Sequence, residues 1–460
     1  MTWNLINPAT EQVFRTIEPT TDSELESILS RMRTAQRQWR DVPVRQRADI
    51  CRGFIDAFRS IKEAVALDIT RQMGKPLGQA RKEVDTMLDR AVTMVRLAPD
   101  SLQDDALPAK EGFHRFIRHE PLGIVLDIPA WNYPLLIAVN VIVPALLAGN
   151  AVLIKHARLT PLCGDAFVDA YRKTSLPQDL VASVHVTHST IQKLIDTRAI
   201  DFVSFTGSVE GGRQVYKWAS NQLLDMGLEL GGKDPAFVCE DANFTFTVEN
   251  LVDGAFYNAG QSCCAVERIY VMRSLFSRFV EAYVAEVEKY RVGNPEDPAT
   301  TVGPLAQGKA VEFMEFQVRQ AIDRGAKILT GGHRLPGHGY YFEPTVLVDV
   351  DHSMSVMMEE SFGPVIGLMP VDSEVEAVRL MNDSPYGLTG SIWTEDASRG
   401  ERLAHQTAAG TVYVNRCDYL DPELAWVGIK DSGHGCTLSH LGFLYLTRPK
   451  SFHLRTRTGG

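Results

Sequence analysis

Two adjacent thiols, Cys263 and Cys264, lie in the sequence between a predicted helix and a predicted strand. The helix begins near Val248 and ends at Gly260, and an apolar strand begins at about Arg268. A thiol in a loop between two such elements can reach a cleft, where its thiolate can attack an electrophilic carbon. An isolated cysteine more often packs as a small apolar side chain. The two thiols therefore need support from other residues before they indicate catalysis.

A carboxylate and an amide in two other motifs could assist such a thiol. Glu229 stands in Leu228-Glu-Leu-Gly-Gly-Lys. Because glutamate is rarely buried without a partner, partial burial would raise the pKa of Glu229 and suit it to general-base chemistry. Asn132, in Trp131-Asn-Tyr-Pro, could donate a hydrogen bond to an oxyanion. The alternatives are a solvated carboxylate at a strand end and a cap for the helix that Pro134 opens.

A glycine-containing turn offers a place for a phosphate group. It holds Gly207 and Ser208 in Thr206-Gly-Ser-Val-Glu-Gly-Gly, between a predicted strand and a predicted helix. Glycine lets backbone N–H groups approach a phosphate, and the N-terminus of a helix favours negative charge. Such turns are common in α/β proteins, so this motif alone is weak support for a nucleotide.

The elements that must position these motifs alternate between strand and helix from Gly123 onward. The predicted strands are 123–128, 151–155, 181–186, 201–206, 268–272, 326–329, 345–348, 388–393 and 411–415. The predicted helices are 22–40, 44–70, 81–97, 134–148, 162–173, 189–196, 275–289, 308–323, 373–382 and 396–406, and 103–120 is expected to form a two-stranded excursion. This alternation predicts an α/β fold with a parallel, doubly wound sheet and a site at the strands' carboxyl ends.

Length and composition restrict the class of protein. The 460 residues imply two or three domains, and the net charge of −10 argues against a nucleic-acid or anionic-membrane partner. The seven cysteines favour a reducing compartment, so we expect a cytoplasmic protein. Residues 128–154 carry no charge, but their asparagines and prolines favour a buried helix over a membrane span. His333 and His338 lack ligand-type neighbours, so no metal site is predicted.

Taken together, the motifs resemble the aldehyde dehydrogenase family. Five of them occur in that family's order: Trp131-Asn-Tyr-Pro, Phe205-Thr-Gly-Ser, Glu229-Leu-Gly-Gly-Lys, Gly260-Gln-Ser-Cys and Glu359-Glu-Ser-Phe-Gly-Pro. The resemblance as a whole runs over nearly the whole chain, from about Asn7. The resemblance implies a Rossmann-type dinucleotide-binding domain, an α/β catalytic domain and a small β oligomerisation arm. Their expected bounds are 1–102 with 121–232, then 233–446, and 103–120 with 447–460.

The resemblance also implies a reaction, the oxidation of an aldehyde to a carboxylate with NAD or NADP. Cys263 would form a thiohemiacetal and then a thioester, Asn132 and the backbone N–H of Cys263 would hold the oxyanion, and Glu229 would activate the hydrolytic water. Cys264 is then a neighbour of the nucleophile. It either packs inward or forms a strained vicinal disulfide that masks Cys263.

The cofactor contacts that the resemblance implies come from several motifs. Lys155 and Glu360 would contact the two riboses, Phe362 the nicotinamide and Ser208 the pyrophosphate, with Trp131, Gly207 and Gly231 beside them. Many members carry an acidic residue three positions after the lysine, where this chain has Arg158. A guanidinium there either binds the 2′-phosphate of NADP or points to solvent.

Two further departures concern the proton path and the substrate entrance. Val141 and Thr437 replace a basic residue and a glutamate that the family is thought to use to pass the proton from the base to solvent. A different exit, through water or His434, is therefore expected. Ala425-Trp-Val-Gly replaces the family's Pro-Phe-Gly-Gly, which predicts an entrance of different shape.

The predicted substrate contacts are Tyr133, Arg416 and Tyr419. Arg416 could hold a distal carboxylate, since its loop borders the substrate entrance in the family and the chain resembles short bacterial-type members that include succinate-semialdehyde enzymes. Alternatively, Arg416 pairs with Asp418 or Asp421 on a solvated loop. The sequence alone does not select the aldehyde or choose between NAD and NADP.

Three other functions compete with aldehyde oxidation. A CoA-acylating dehydrogenase is disfavoured because such enzymes tend to lack a glutamate at the position of Glu229. A non-catalytic dinucleotide-binding member is disfavoured because Asn132, Glu229 and Cys263 are all present. A thiol hydrolase is disfavoured because no histidine stands out as a partner for Cys263. The expected partners are a small aldehyde and further copies of the chain, in a dimer or tetramer, with neither nucleic acid nor membrane.

Overall fold

The computed structural model describes residues 2–458, which form four β-sheets with helices around them. The strands are β1 (Trp3–Asn7), β2 (Gln12–Ile17), β3 (Asp105–Ala106), β4 (Phe113–Pro121), β5 (Ile124–Ile128), β6 (Ala151–Ile154), β7 (Val181–Ser183), β8 (Phe202–Thr206), β9 (Asp225–Glu229), β10 (Asp234–Val238), β11 (Val266–Met272), β12 (Lys327–Thr330), β13 (Thr345–Val348), β14 (Val365–Val371), β15 (Thr389–Trp393), β16 (Thr411–Val414), β17 (Gly433–His434) and β18 (Thr447–Arg455).

The α-helices lie between and before these strands. They are α1 (Asp22–Trp39), α2 (Val44–Arg59), α3 (Lys62–Met73), α4 (Leu77–Ser101), α5 (Pro134–Ala148), α6 (Pro161–Tyr171), α7 (His188–Asp196), α8 (Val209–Asn221), α9 (Phe244–Phe256), α10 (Arg273–Val287), α11 (Gly308–Asp323), α12 (Ser355–Met358), α13 (Glu374–Asn382), α14 (Ala397–Gln406) and α15 (Ser439–Tyr445). Short 3₁₀ turns cover Tyr257–Gly260 and Lys430–Ser432.

The first large sheet has the strand order β17-β9-β8-β5-β6-β7. Strands β5 to β9 are parallel, and only the short β17 is antiparallel to its neighbour. Parallel strands have their carboxyl ends at one edge, so the segments after β5, β6, β8 and β9 meet there. Those segments carry Asn132, Lys155, Gly207 and Glu229. The topology therefore brings residues that are far apart in sequence to one edge.

The second large sheet has the order β12-β13-β14-β11-β10-β15-β16 and is parallel except for β12. The chain passes into it from Glu229 through Gly231 and Gly232 to Asp234, the first residue of β10. Cys263 lies just before β11, the neighbour of β10. The thiol is thus held at the amino end of a central strand, on the side where the chain arrives from the first sheet.

The third sheet is the predicted excursion at 103–120. Strand β4 pairs with β3 on one side and with β18 along the full length of β18 on the other. The two segments assigned to the predicted arm, 103–120 and 447–460, therefore pair through β4 and β18, although they are more than 300 residues apart. The α/β fold class is confirmed.

Several predicted element bounds are wrong. The predicted helix 44–70 is two helices, α2 and α3, with a break at Ser60 and Ile61. Apolar periodicity continues across the break, so it could not reveal the boundary. The helix placed near Val248 begins at Phe244, because the Asn243 side chain accepts a hydrogen bond from Phe246 N at 3.4 Å and caps it.

Other elements end earlier than predicted, and some were not predicted at all. The same helix α9 ends at Phe256, because Asn258 and Ala259 have φ of 54° and 56°, outside the helical region. The strand predicted at 181–186 ends at Ser183. The hairpin β1–β2 and the strands β10 and β14 were not predicted; β10 and β14 each contain a proline, which argues against a strand in sequence. Within residues 2–458 no helix is long and apolar enough to span a bilayer, and α5 has 15 residues.

Candidate active site

The Cys263 loop contacts the Asn132 side chain directly. Asn132 is 2% exposed, and its Nδ2 donates to the carbonyl of Gln261 at 3.2 Å. Cys263 itself is half-buried. Within residues 2–458, the backbone N–H of Cys263 donates to no other group. An oxygen atom on a carbon bound to Cys263 would therefore find an amide N–H and a backbone N–H beside it, which is the composition of an oxyanion hole.

A buried ion pair holds the backbone of Asn132 in place. The Asn132 carbonyl accepts a hydrogen bond from Lys75 Nζ at 2.8 Å and another from Asn258 Nδ2 at 3.1 Å. Lys75 pairs with Glu83, and both side chains are almost completely buried. Glu83 Oε1 in turn accepts from the N–H of Leu135 at 2.9 Å, which satisfies a free amide in the first turn of α5. These contacts hold the turn between β5 and α5 in one conformation.

The backbone before Cys263 is strained. Asn258, Ala259 and Gly260 all have positive φ, of 54°, 56° and 70°. Non-glycine residues in this region cost on the order of 1–3 kcal/mol each and persist only where other contacts impose them. The imposing contacts are present: Gln79 Oε1 accepts from Asn258 N at 3.1 Å, and Gln261 Oε1 accepts from the N–H of Ala306 at 2.9 Å. The strain is thus used to place the thiol loop.

Glu229, the predicted base, ends β9 and contacts two hydroxyl groups. Thr437 Oγ1 donates to its Oε1 at 2.5 Å, and Thr206 Oγ1 donates to its Oε2 at 3.4 Å. Burial raises the pKa of Glu229, and the Thr437 hydrogen bond and the charge of Arg90 oppose this rise. The ring of His434 instead packs edge-on against Tyr216 at 6.1 Å. The sequence analysis noted Thr437 only because it replaces a glutamate of the family. In the structure, Thr437 is a direct contact of the predicted base.

Two cavities meet at these catalytic candidates. The larger has a volume of about 420 Å³ and the smaller about 170 Å³, and both are lined by Thr206, Glu229 and Cys263. The smaller also contains Asn132 and the predicted cofactor contacts Trp131, Gly207, Ser208, Gly231, Glu360 and Phe362. The larger contains the predicted substrate contacts Tyr133, Arg416 and Tyr419. The thiol and the carboxylate can therefore be reached from two sides.

Close backbone packing shapes the smaller cavity. A Cβ on Gly231 would collide with the carboxylate of Glu360, and a Cβ on Gly232 would collide with the carbonyl of Cys263. Only glycine permits this approach. Glu360 Oε1 accepts from Gly232 N at 3.1 Å. Burial, and then the charge of Glu267, raise the pKa of Glu360 to about 8. The glycine pair therefore joins the thiol loop to the predicted ribose contact.

A second buried ion pair supports the segment that follows Glu360. Lys233 pairs with Glu267, and the Glu267 carboxylate accepts from the N–H groups of Ser361 at 2.8 Å and Phe362 at 3.0 Å. The ring of Phe362 then meets Trp131 edge-on, with centroids 5.4 Å apart. The sequence did not single out Lys233 or Glu267, because their roles depend on contacts between different strands.

The remaining cofactor candidates lie on neighbouring segments at the same edge. Lys155 is buried, and burial followed by the charge of Arg158 lowers its pKa to about 8. Arg158 is exposed, with its guanidinium 5.3 Å above the ring of Trp3. Ser208 Oγ accepts from Gly211 N at 3.2 Å and caps α8. Of these groups, the capped start of α8 at Ser208 lines the smaller cavity, and a helix start favours a phosphate-bearing ligand. Lys155 and Arg158 follow β6, a neighbouring strand of the same sheet edge.

On the opposite side, Arg416 is exposed and pairs with neither proposed carboxylate. Its guanidinium lies 3.4 Å above the ring of Tyr419. Asp418 instead accepts from Ser262 Oγ at 3.0 Å and from Cys264 Sγ at 3.1 Å. Burial raises the pKa of Asp418 to about 6. The expectation that Arg416 pairs with Asp418 or Asp421 is therefore wrong, because the tyrosine ring is the closer partner.

Cys264 packs inward, which is one of the two alternatives that the sequence left open for it. It is 4% exposed, and its hydrogen bond with Cys263, together with burial, raises the pKa of its thiol well above the ordinary value. A protonated thiol is a poor nucleophile. Of the two cysteines, Cys263 is the one that reaches both cavities as a candidate nucleophile.

An α/β chain with a thiol, a partly buried carboxylate and two N–H donors at the junction of two cavities defines a class of enzyme that works through covalent catalysis on cysteine. The profile of the aldehyde dehydrogenase family matches residues 1–452. The chain belongs to the aldehyde dehydrogenase family. The predicted family and the predicted enzyme class, an NAD(P)-dependent aldehyde dehydrogenase, are confirmed.

Similar proteins have related activities. A succinate-semialdehyde dehydrogenase [NADP(+)] of Deinococcus radiodurans is 34% identical over 445 residues, 97% of this chain and 93% of the relative. A 3,6-anhydro-alpha-L-galactose dehydrogenase of a Vibrio species is 34% identical over 459 residues, 98% of this chain and 95% of the relative. The crystal structure of a point mutant of betaine aldehyde dehydrogenase from Staphylococcus aureus, in complex with NAD+, is 30% identical, with a TM-score of 0.94 and coverage of 100% of this chain and 94% of that chain.

Proposed function

We propose that this enzyme oxidises a short semialdehyde, with succinate semialdehyde as its representative, to the carboxylate. The observation that carries the proposal is the junction itself, where Cys263 and Glu229 line both cavities and Asn132 contacts the thiol loop. The aldehyde enters from the larger cavity and NAD(P)+ binds on the smaller side. Relatives named as succinate-semialdehyde dehydrogenases support the substrate class.

The chain's own residues account for the covalent steps. The Cys263 thiolate adds to the aldehyde carbon, and the resulting oxyanion is held by Asn132 Nδ2 and the N–H of Cys263. NAD(P)+, when bound, accepts the hydride. The carbon is then a thioester of Cys263. Glu229 removes a proton from water, the water oxygen adds to the thioester carbon, and the carbon–sulfur bond breaks to release carboxylate and thiolate.

The residues that would hold the dinucleotide fit such a ligand. Gly231 and Gly207 line the smaller cavity with bare backbone, and a Cβ at either position would clash with Glu360 or Phe205. Phe362 and Trp131 provide an aromatic wall. We propose that Arg158, exposed beside the buried Lys155, allows NADP+ to bind as well as NAD+, since a guanidinium suits a 2′-phosphate.

The domain bounds given above, a homo-oligomer and a cytoplasmic location are also proposals. Strand β18 lies at the edge of the three-stranded sheet, with one side not paired in the described part of the chain. An exposed edge strand favours pairing with another chain, which supports assembly through this arm. All seven cysteines are free thiols, which supports a reducing compartment.

A steady-state assay tests the function. Purified enzyme is offered succinate semialdehyde, 3,6-anhydro-L-galactose and butanal with NAD+ or NADP+, beside the variants Cys263→Ser and Glu229→Gln. We expect the highest kcat/KM with succinate semialdehyde, no turnover in Cys263→Ser, and a slow release of carboxylate in Glu229→Gln after one equivalent of reduced cofactor has formed. A higher kcat/KM for the sugar would refute the semialdehyde assignment, and turnover in Cys263→Ser would refute the mechanism.

A further inference from the structure

The larger cavity is lined by a buried cation, Arg90, that no carboxylate within residues 2–458 contacts directly. Arg90, on α4, is 5% exposed and lines this cavity together with Cys263 and Glu229. One guanidinium nitrogen, Nη1, donates to the carbonyl of Leu136 at 3.1 Å and to Asn140 Oδ1 at 3.2 Å. The buried Nε of Arg90 has no partner. Within residues 2–458, Arg90 forms no ion pair with a carboxylate.

Two of the other buried cations near the site, Lys75 and Lys233, are compensated by carboxylates. Lys75 pairs with Glu83 and Lys233 pairs with Glu267, each pair being almost fully buried. A charge taken out of water is unfavourable unless an opposite charge or several acceptors replace the lost water. The guanidinium has five N–H donors, and the protein supplies acceptors for only part of them. Arg90 therefore retains donors and positive charge for a ligand.

The guanidinium of Arg90 and the thiol of Cys263 belong to the walls of one cavity of about 420 Å³. Arg90 is held there by the carbonyl of Leu136, in the first turn of α5, the helix that follows Asn132. An aldehyde carbon at Cys263 and an acid group at Arg90 can therefore belong to one ligand in this cavity. The cavity also contains the carboxylates of Glu229 and Asp418. Both side chains repel a carboxylate on the substrate, so an anionic substrate needs a positively charged group to bind in this cavity.

We propose that Arg90 binds the distal carboxylate of the substrate and so selects acid-bearing aldehydes over neutral aldehydes of the same length. This inference rests on the proposed function and names the residue that sets its specificity. Arg416, the residue that the sequence suggested for this role, is exposed and stacked on Tyr419, where water already solvates its charge. Arg90 is desolvated, and a desolvated guanidinium gains more from a carboxylate than an exposed one.

The test compares two aldehydes of equal chain length, succinate semialdehyde and butanal. Loss of one partner from a buried charge pair costs about 2–5 kcal/mol, so we expect Arg90→Gln to lower kcat/KM for succinate semialdehyde at least about 30-fold, chiefly through KM. For butanal, assayed at a pH above the acid limb set by Glu229, we expect a change of less than about threefold. Arg90→Lys keeps the charge and should recover part of the loss. Arg96→Gln, the matched control on the same helix, changes an exposed arginine outside the cavity and should change neither aldehyde by more than about threefold. Arg416→Gln tests the competing anchor and should cause no selective loss for succinate semialdehyde.

A binding measurement separates this proposal from the proposed function. Succinate is titrated calorimetrically into Cys263→Ser, with and without Arg90→Gln, so that no turnover is needed. We expect succinate to bind only when Arg90 is present. If the enzyme oxidised neither aldehyde but succinate binding still required Arg90, the proposed function would fail and the anion site would stand. An equal loss for both aldehydes in Arg90→Gln, a selective loss in Arg416→Gln, or binding that ignores Arg90 would overturn the proposal.

Discussion

The hydrogen bond between Thr437 and Glu229 offers a direct test of how the base is tuned. Thr437 Oγ1 donates to Glu229 Oε1 at 2.5 Å. Thr437→Val removes the donor and keeps the shape of the side chain, whereas Thr437→Ser keeps the hydroxyl. Glu229 must be ionised to take a proton from water. Because the hydrogen bond stabilises the carboxylate, its removal raises the pKa of Glu229 further, and activity at low pH falls.

The size of the shift follows from the strength of the bond. A hydrogen bond to a charged group contributes about 1.5–3 kcal/mol, and one pKa unit corresponds to about 1.36 kcal/mol, so the upper limit is about one to two pH units. Burial already raises the pKa of Glu229, and Arg90 and Thr206 still oppose it in the variant. We therefore expect the acid limb to move upward by about one unit.

The raised pKa of Glu229 also makes the free energy of unfolding depend on pH. The folded-state pKa of Glu229 lies above the unfolded value, so its contribution to the free energy of unfolding is fully present below the unfolded pKa and is lost as the pH rises through the folded pKa. In Thr437→Val this loss should still begin near the unfolded pKa, but it should extend to a higher pH and be larger at alkaline pH. Denaturant unfolding of Thr437→Val and Thr437→Ser at acidic and alkaline pH measures the difference.

The assay must isolate thioester hydrolysis. Enzyme is mixed with aldehyde and excess NAD(P)+ in a quenched-flow instrument, and release of carboxylate after the first equivalent of reduced cofactor is followed across pH. Thr437→Ser should superimpose on the wild-type profile. An acid limb of Thr437→Val that coincides with the wild type, or that moves to lower pH, would refute the assignment of Thr437 as the group that tunes Glu229.

Two further predictions concern the cofactor side. Gly232→Ala should lower kcat at least about tenfold, because the new Cβ displaces the Cys263 carbonyl, whereas Gly78→Ala, which meets no atom within 4 Å, should be harmless in the same assay. Arg158→Glu should raise the KM for NADP+ about tenfold or more and leave that for NAD+ nearly unchanged, since only the 2′-phosphate is repelled. Equal KM changes for the two cofactors would place Arg158 outside the phosphate site.

The sequence predicted the parts of the fold and site that depend on local signals. Helix α5 has the predicted bounds, 134–148, because a proline opens it and a glycine with φ of 97° closes it. Although β9, which ends at Glu229, was not predicted as a strand, Asn132 and Gly207 follow the predicted strands β5 and β8, which proved to be parallel neighbours. Motif order and strand alternation sufficed for these, since each motif is contained in a few consecutive residues.

What escaped prediction depends on contacts between distant segments. Lys75 and Glu83 look like ordinary residues of a solvated helix region, and only the packing of α4 on α5 makes them a buried pair beneath Asn132. Arg90 is hidden in the same way among charged neighbours on α4. A helical pattern shows which face of a helix is apolar. It does not show that a charged residue beside that face lines a cavity.

The charge of Arg90 acts on Glu229 and, in our proposal, also binds the substrate carboxylate. The pKa of Glu229 should therefore depend on which substrate occupies the cavity. Val141 stands where many family members carry a basic residue. Burial raises the pKa of Glu229, and the charge of Arg90 on α4 opposes that rise. A substrate carboxylate bound at Arg90 would neutralise that charge, so the pKa of Glu229 would rise when succinate semialdehyde occupies the cavity and would not rise with butanal. The acid limb of thioester hydrolysis should therefore lie at higher pH for succinate semialdehyde than for butanal, and Arg90→Gln should abolish the difference. Identical limbs for the two aldehydes in the wild-type enzyme would show that Arg90 does not link them.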